Sequence, residues 1–113
     1  MTISLYRRSM SETEMRKGVI EAVERQGGKV LWLPDSRATA FADWPDLTIV
    51  LGDRLILVEL KSWRRLVTPG QADMLARLSE CRRVEAFVVR SEPRSAEEIG
   101  YQQFMDWLEG TRA

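Results

Sequence analysis

Asp46, Glu59 and Lys61 are the residues whose types and spacing point to chemistry. Two apolar runs, Leu47 to Leu51 and Leu55 to Leu60, are separated by Gly52-Asp53, a dipeptide suited to a two-residue hairpin turn. In the register that such a turn sets, Asp46 lies directly across from Glu59, with Cβ atoms roughly 4.5 to 5.5 Å apart. Carboxylates so placed repel each other, and a divalent cation between them removes the repulsion. Lys61 points to the same face as Glu59, because strand side chains alternate. The plain alternative is a surface ion pair between Glu59 and Lys61. Against it, the run Leu55-Ile56-Leu57-Val58-Glu59-Leu60 reads as a strand covered on both faces, where charge is costly without a purpose.

The chain has no histidine and a single cysteine, Cys81. Zinc therefore has no nitrogen ligand, an internal disulfide has no second thiol, and Ser-His or Cys-His nucleophile pairs lack their base. Oxygen ligands alone suit magnesium or manganese. Magnesium keeps several waters, one of which can act as nucleophile, and a neighbouring lysine can orient that water or stabilise charge on a phosphoryl group. Phosphodiester hydrolysis is the reaction class expected.

The elements that must position these groups follow from periodicity and caps. Met15, Val19, Ala22 and Val23 recur at helical spacing after Ser11, and Gly27-Gly28 ends that helix. Val30 to Leu33 reads as a strand stopped by Pro34, and a long polar connection runs from Asp35 to Pro45. After the hairpin, Thr68-Pro69 opens a second helix with Met74, Leu75 and Leu78 on its apolar face, ending near Cys81, which is expected to be buried. Ala86 to Val89 is a fourth strand. Ser95 is expected to begin a last helix, in which Ile99, Phe104, Trp107 and Leu108 pack inward. The order is helix, three strands, helix, strand, helix, an α/β fold.

With 113 residues, 44% of them hydrophobic and 30% charged, the chain is expected to form one folded domain over residues 1–113. No apolar run approaches a membrane span and the N-terminus lacks a secretory signal, so a cytoplasmic protein is expected. The net charge is zero, which argues against a broad nucleic-acid surface. Local basic doublets nevertheless occur at Arg7-Arg8, Arg64-Arg65 and Arg82-Arg83. Trp32 and Trp107 read as core, whereas Trp44 and Trp63 flank the candidate site and suit either packing or stacking on bases.

Trp44-Pro45-Asp46-Leu47 followed by Glu59-Leu60-Lys61 resembles the PD-(D/E)xK nuclease signature. The further resemblance is to the VRR-Nuc family, in its small standalone phage-type form. It is carried by Ser11-Glu12-Thr13-Glu14, Asp35-Ser36-Arg37, Thr68-Pro69-Gly70-Gln71 and Val88-Val89-Arg90-Ser91. This resemblance implies a restriction-endonuclease-like αβββαβ core, a mixed four-stranded sheet flanked by helices. It also implies that Asp46 and Glu59 bind Mg2+, for which Mn2+ would substitute, with the Leu60 carbonyl as a further ligand. Lys61 and Gln71 resemble the catalytic lysine and helix glutamine. Arg37, with Arg64 and Arg65 close after Lys61, would contact DNA. The implied activity is a magnesium-dependent endonuclease on structured or branched DNA, Holliday-junction-like or flap substrates, working as a homodimer. The alternative is a catalytically weak DNA-binding or assembly module of the same fold.

A helix glutamate also belongs to the resembled site, and Glu12 and Glu14 both fit it. Ser11-x-x-Glu14 forms a capping box, and so does Ser9-x-x-Glu12 if the helix starts earlier. Glu12 shares the stripe of Met15, Val19 and Val23, which favours Glu12 as a metal ligand. One departure from the family pattern is Ala42-Asp43-Trp44 where a glycine often stands. Asp43 thereby becomes a competing candidate ligand.

Overall fold

The computed structural model describes residues 9–32 and 42–110. Its elements run α1 (Glu12–Arg25), β1 (Lys29–Trp32), β2 (Leu47–Leu51), β3 (Arg54–Lys61), α2 (Pro69–Ser79), β4 (Val84–Arg90), β5 (Ile99–Gly100) and α3 (Tyr101–Gly110). The strands form one mixed sheet in chain order, antiparallel from β1 to β3 and parallel from β3 to β5.

The β2–β3 register follows from its turn. Leu51 pairs with Arg54 around Gly52-Asp53, and Gly52 alone takes a positive φ, 63°, the left-handed conformation a type II′ hairpin turn needs at its first central residue. Leu47, Ile49 and Leu51 then share one face with Ile56, Val58 and Leu60. Against that face pack Met15, Val19, Ala22 and Val23 of α1 and Phe104 and Leu108 of α3. The opposite face carries Leu57, Glu59 and Lys61, all buried, on the side where α2 crosses from β3 to β4. The strand is thus covered on both faces, as its unbroken apolar run implies.

Both first helices begin with a reciprocal box. Ser11 and Glu14 close one, Thr68 and Gln71 the other, with Pro69 in the first turn of α2 where its missing N–H costs nothing. Helix α1 stops at Gly27, whose φ is 85°.

The sheet has five strands rather than four, and the last helix starts at Tyr101 rather than Ser95. The Ser95 hydroxyl accepts from Glu97 N–H and its carbonyl from Glu98 N–H, closing one isolated turn, after which Ile99-Gly100 adds to β4. Ile99 is therefore a strand residue. Cys81 is exposed beyond the end of α2. Trp32 is 36% exposed, with Arg16 stacked 3.9 Å from its ring centre, whereas Trp107 packs on Phe87 and Phe104 as a core residue does. Arg7, Arg8, Leu33, Pro34 and the Asp35-Ser36-Arg37 segment lie outside the described residues.

Candidate active site

One step past the Leu47–Val58 pair, the hairpin register sets Asp46 against Glu59, close enough for each carboxyl group to act on the other. A second step sets Pro45 against Leu60. Pairs that exchange both ladder bonds alternate along an antiparallel hairpin, and Leu51–Arg54 is the first of them, so Pro45 occupies the place of the next donor to Leu60. Proline has no N–H to give. The Leu60 N–H donates instead to Asp46 Oδ2 at 2.9 Å, and the Leu60 carbonyl has no ladder donor from β2. The Pro-Asp pair thus fixes one carboxylate and gives the neighbouring Leu60 carbonyl no partner from β2.

Glu59 is 2% exposed and Lys61 1% exposed. Lys61 Nζ lies 3.4 Å from Glu59 Oε2, and Gln71 Nε2 donates to the same oxygen at 3.2 Å. Burial, and then the charge of Asp46, push the Glu59 carboxyl up to about 8, against the opposing pull of Lys61. Burial also raises Asp46, with the Leu60 N–H working against the rise. Near neutral pH one proton is therefore favoured between two facing carboxyl groups. A cation is the other way to relieve that crowding.

Among the described residues no group of three or more Asp, Glu, His or Cys side chains is gathered as a cage. Two carboxylates with a neighbouring main-chain carbonyl still fit magnesium, which binds through one or two carboxylates and fills its remaining octahedral positions with water. They do not suit zinc, which prefers nitrogen and sulfur.

The structure separates the two glutamates of α1. Glu14 Oε1 accepts the Ser11 N–H at 2.9 Å in the capping box. Glu12 reaches the end of β3: Oε2 accepts the Ser62 N–H at 2.9 Å, Oε1 pairs with Arg65 Nη1 at 3.0 Å, and its charge acts on Asp46. Asp43 meets the start of α2. Its carboxylate sits against the first turn of α2, where a Cβ on Gly70 would come within 2.5 Å of Oδ1. Trp44 Nε1 donates to Thr48 Oγ1 at 2.9 Å. Arg64 and Arg65 are exposed just beyond Lys61, whereas Arg82 and Arg83 precede Val84, at the opposite end of the sheet. Arg37 lies outside the described residues.

A buried arginine that sequence reasoning leaves without a role completes the arrangement. Arg90, paired with Lys61 in the parallel ladder and 1% exposed, donates to both oxygens of Glu98 at 2.8 Å and from Nη1 to the Ser62 and Arg65 carbonyls at 2.7 Å each. Its sequence signals are the Val88-Val89-Arg90-Ser91 segment of the family resemblance and a charged residue closing an apolar run, and neither names its partners.

A solved structure titled "VRR_NUC domain" matches 90% of this chain and 97% of its own, with a TM-score of 0.63 and 23% identity. No family model and no curated protein matches the chain. The likeness establishes the architecture: this chain has the fold of a VRR_NUC domain, the fold that the Pro45-Asp46 and Glu59-Leu60-Lys61 resemblance implies.

Proposed function

We propose that this chain is a magnesium-dependent DNA endonuclease of the VRR-Nuc type. The observation that carries the reading is the buried Glu59 faced by the half-buried Asp46, with Lys61 Nζ 3.4 Å from Glu59. Asp46, Glu59 and the Leu60 carbonyl are the groups to hold the cation, with Mn2+ able to replace Mg2+. The bound ion would supply Lewis-acid stabilisation of the phosphoryl oxygens and a water of lowered pKa. Lys61 presents ammonium donors where negative charge grows on the phosphate. Gln71 holds Glu59 in place, and Glu12 stands behind the pair as a third acid.

Structured or branched DNA is the proposed substrate, cut by two copies acting as a homodimer, since one small site cuts one strand. The edge that β1 forms among the described residues, with Leu31 and Val50 exposed nearby, is the surface proposed for such a pair. No helix among the described residues is long and apolar enough to cross a membrane, compatible with a protein that meets DNA in the cytoplasm.

The test is divalent-dependent nicking of supercoiled plasmid, followed by labelled junction, flap, duplex, single-stranded and RNA substrates. Asp46→Ala and Lys61→Ala should abolish cleavage. Metal-independent DNA binding without turnover would instead favour the assembly-module reading.

A further inference from the structure

Beyond Lys61 the chain makes a tight turn in which the Arg65 N–H donates to the Ser62 carbonyl at 3.2 Å. The carbonyls of those two residues, Ser62 and Arg65, both accept from Nη1 of the buried Arg90. Nε and Nη2 of that guanidinium are held by Glu98, so the turn is fastened at both ends to a group that cannot move freely. A third tie comes from Glu12, which takes the Ser62 N–H and the Arg65 side chain. Between the fastened ends stand Trp63, 51% exposed, and Arg64, also exposed. Neither side chain makes a hydrogen bond, ion pair or ring contact with a described residue.

A large aromatic ring left in water has an available π-face, and here the backbone that carries it is pinned before any ligand arrives. Preorganisation of the backbone removes the part of the ordering cost that a loose loop would add to binding. Bases stack on such rings whatever their sequence, and guanidinium groups beside them neutralise the backbone. A base inside a duplex offers no free face, so only an unpaired base can use the ring without unstacking.

We propose that the Ser62–Arg65 turn is a stacking platform on which Trp63 receives an unpaired nucleobase next to the scissile phosphate, with Arg64 on the neighbouring backbone. This rests on the nuclease reading and gives a physical origin for a preference for branched over plain duplex DNA.

Binding is measured in EDTA, without cleavage, by fluorescence anisotropy on a blunt duplex and on the same duplex with a short single-stranded flap carrying 2-aminopurine at its first unpaired position. Wild-type protein should favour the flap and quench the 2-aminopurine. Trp63→Ala should lose about 5- to 150-fold in flap affinity, the range a lost base stack carries. It should also lose the quench and keep its melting temperature and duplex affinity, and Trp63→Phe should recover most of the loss. Flap binding and quenching by Trp63→Ala equal to wild type would overturn the proposal. Equal losses on both substrates would overturn it too, because Trp63 would then touch paired DNA. Wild-type protein that binds neither substrate in EDTA and nicks no plasmid when Mg2+ is supplied would overturn the nuclease reading itself, and this proposal with it.

Discussion

Gln71 holds Glu59 and starts its own helix with one side-chain amide. Its Oε1 accepts the Thr68 N–H at 3.0 Å, while its Nε2 donates to Glu59 Oε2 at 3.2 Å. The capping box fixes the orientation of the amide, and the amide fixes the carboxylate. A helix start on one face of the sheet is thereby coupled to the candidate site.

Substitutions at Gln71 should separate those two jobs. Gln71→Glu keeps a side chain able to close the box but replaces the donor with a third carboxylate beside Glu59. Melting temperature should change little, while metal affinity by calorimetry and cleavage should fall about 10- to 100-fold, as when other ligand-orienting partners are lost. Gln71→Ala should lose both, stability included. Full activity in Gln71→Glu would show that Glu59 needs no orienting donor.

The facing carboxyls make a pH prediction for the metal-free protein. Glu59 titrates in the folded chain at about 8, above its ordinary 4.5, so the folded state binds the extra proton between those values. Stability tied to this group is complete below about 4.5 and is lost as pH rises through 8. Melting temperature without divalent ions should fall from pH 5 to pH 8.5, and added Mg2+ should offset the fall. Glu59→Gln should flatten the profile and abolish cleavage. A wild-type profile unaffected by magnesium would remove the pair as the binding site.

Arg90 and Glu98 give the opposite acid dependence. The Arg90 guanidinium holds the Glu98 carboxyl below its ordinary value. That contribution is present above the unfolded value and disappears as pH falls through the folded one. Arg90→Ala takes the buried cation from Glu98, which keeps only the Arg94 N–H, and takes Nη1 from the Ser62 and Arg65 carbonyls; it should cost about 3 to 5 kcal/mol in denaturant unfolding. Glu98→Gln should cost less and lose the acid-side decline that this pair contributes. A loss below about 1 kcal/mol for Arg90→Ala would mean that water replaces the guanidinium at little cost.

These relationships differ in how far the sequence reveals them. The opposition of Asp46 and Glu59 is legible because a two-residue turn sets a register and strand side chains alternate with a period of two. Gln71 is legible at the cap, but its contact with Glu59 depends on how α2 lies across the sheet. Arg90 is not legible as a clamp. Its partners Ser62 and Arg65 are 28 and 25 residues away, and no local pattern distinguishes a buried arginine at a strand end from a solvated one. The last helix is misplaced for a local reason: Ser95 is a good cap residue, but its hydroxyl and carbonyl close a single turn. Ile99-Gly100 is too short for alternation to register. Trp32 reads as core by composition, yet it lies at the end of edge strand β1, where one arginine covers it.

The last prediction concerns the two glutamates at the start of α1, which the sequence leaves open and the structure places differently. Glu12 meets the Ser62 N–H and Arg65 beside the candidate site, while Glu14 closes the box with Ser11. If Glu12 orients a metal-bound water or supplies a ligand, Glu12→Gln should reduce cleavage about 10- to 100-fold with little change in melting temperature. Glu14→Gln should do less, because glutamine also closes a capping box. Ser11→Ala should instead cost roughly 0.5 to 2 kcal/mol of stability and leave cleavage by the folded protein near wild type. Arg65→Ala removes the exposed guanidinium that occupies Glu12 Oε1. It should weaken DNA binding and reduce its salt dependence, since one phosphate-neutralising charge is gone. Calorimetry with magnesium on the same variants supplies the check. A Glu12→Gln protein with unchanged metal affinity and cleavage, beside an inactive Glu14→Gln, would transfer the role to Glu14 and require α1 to rotate from the position seen.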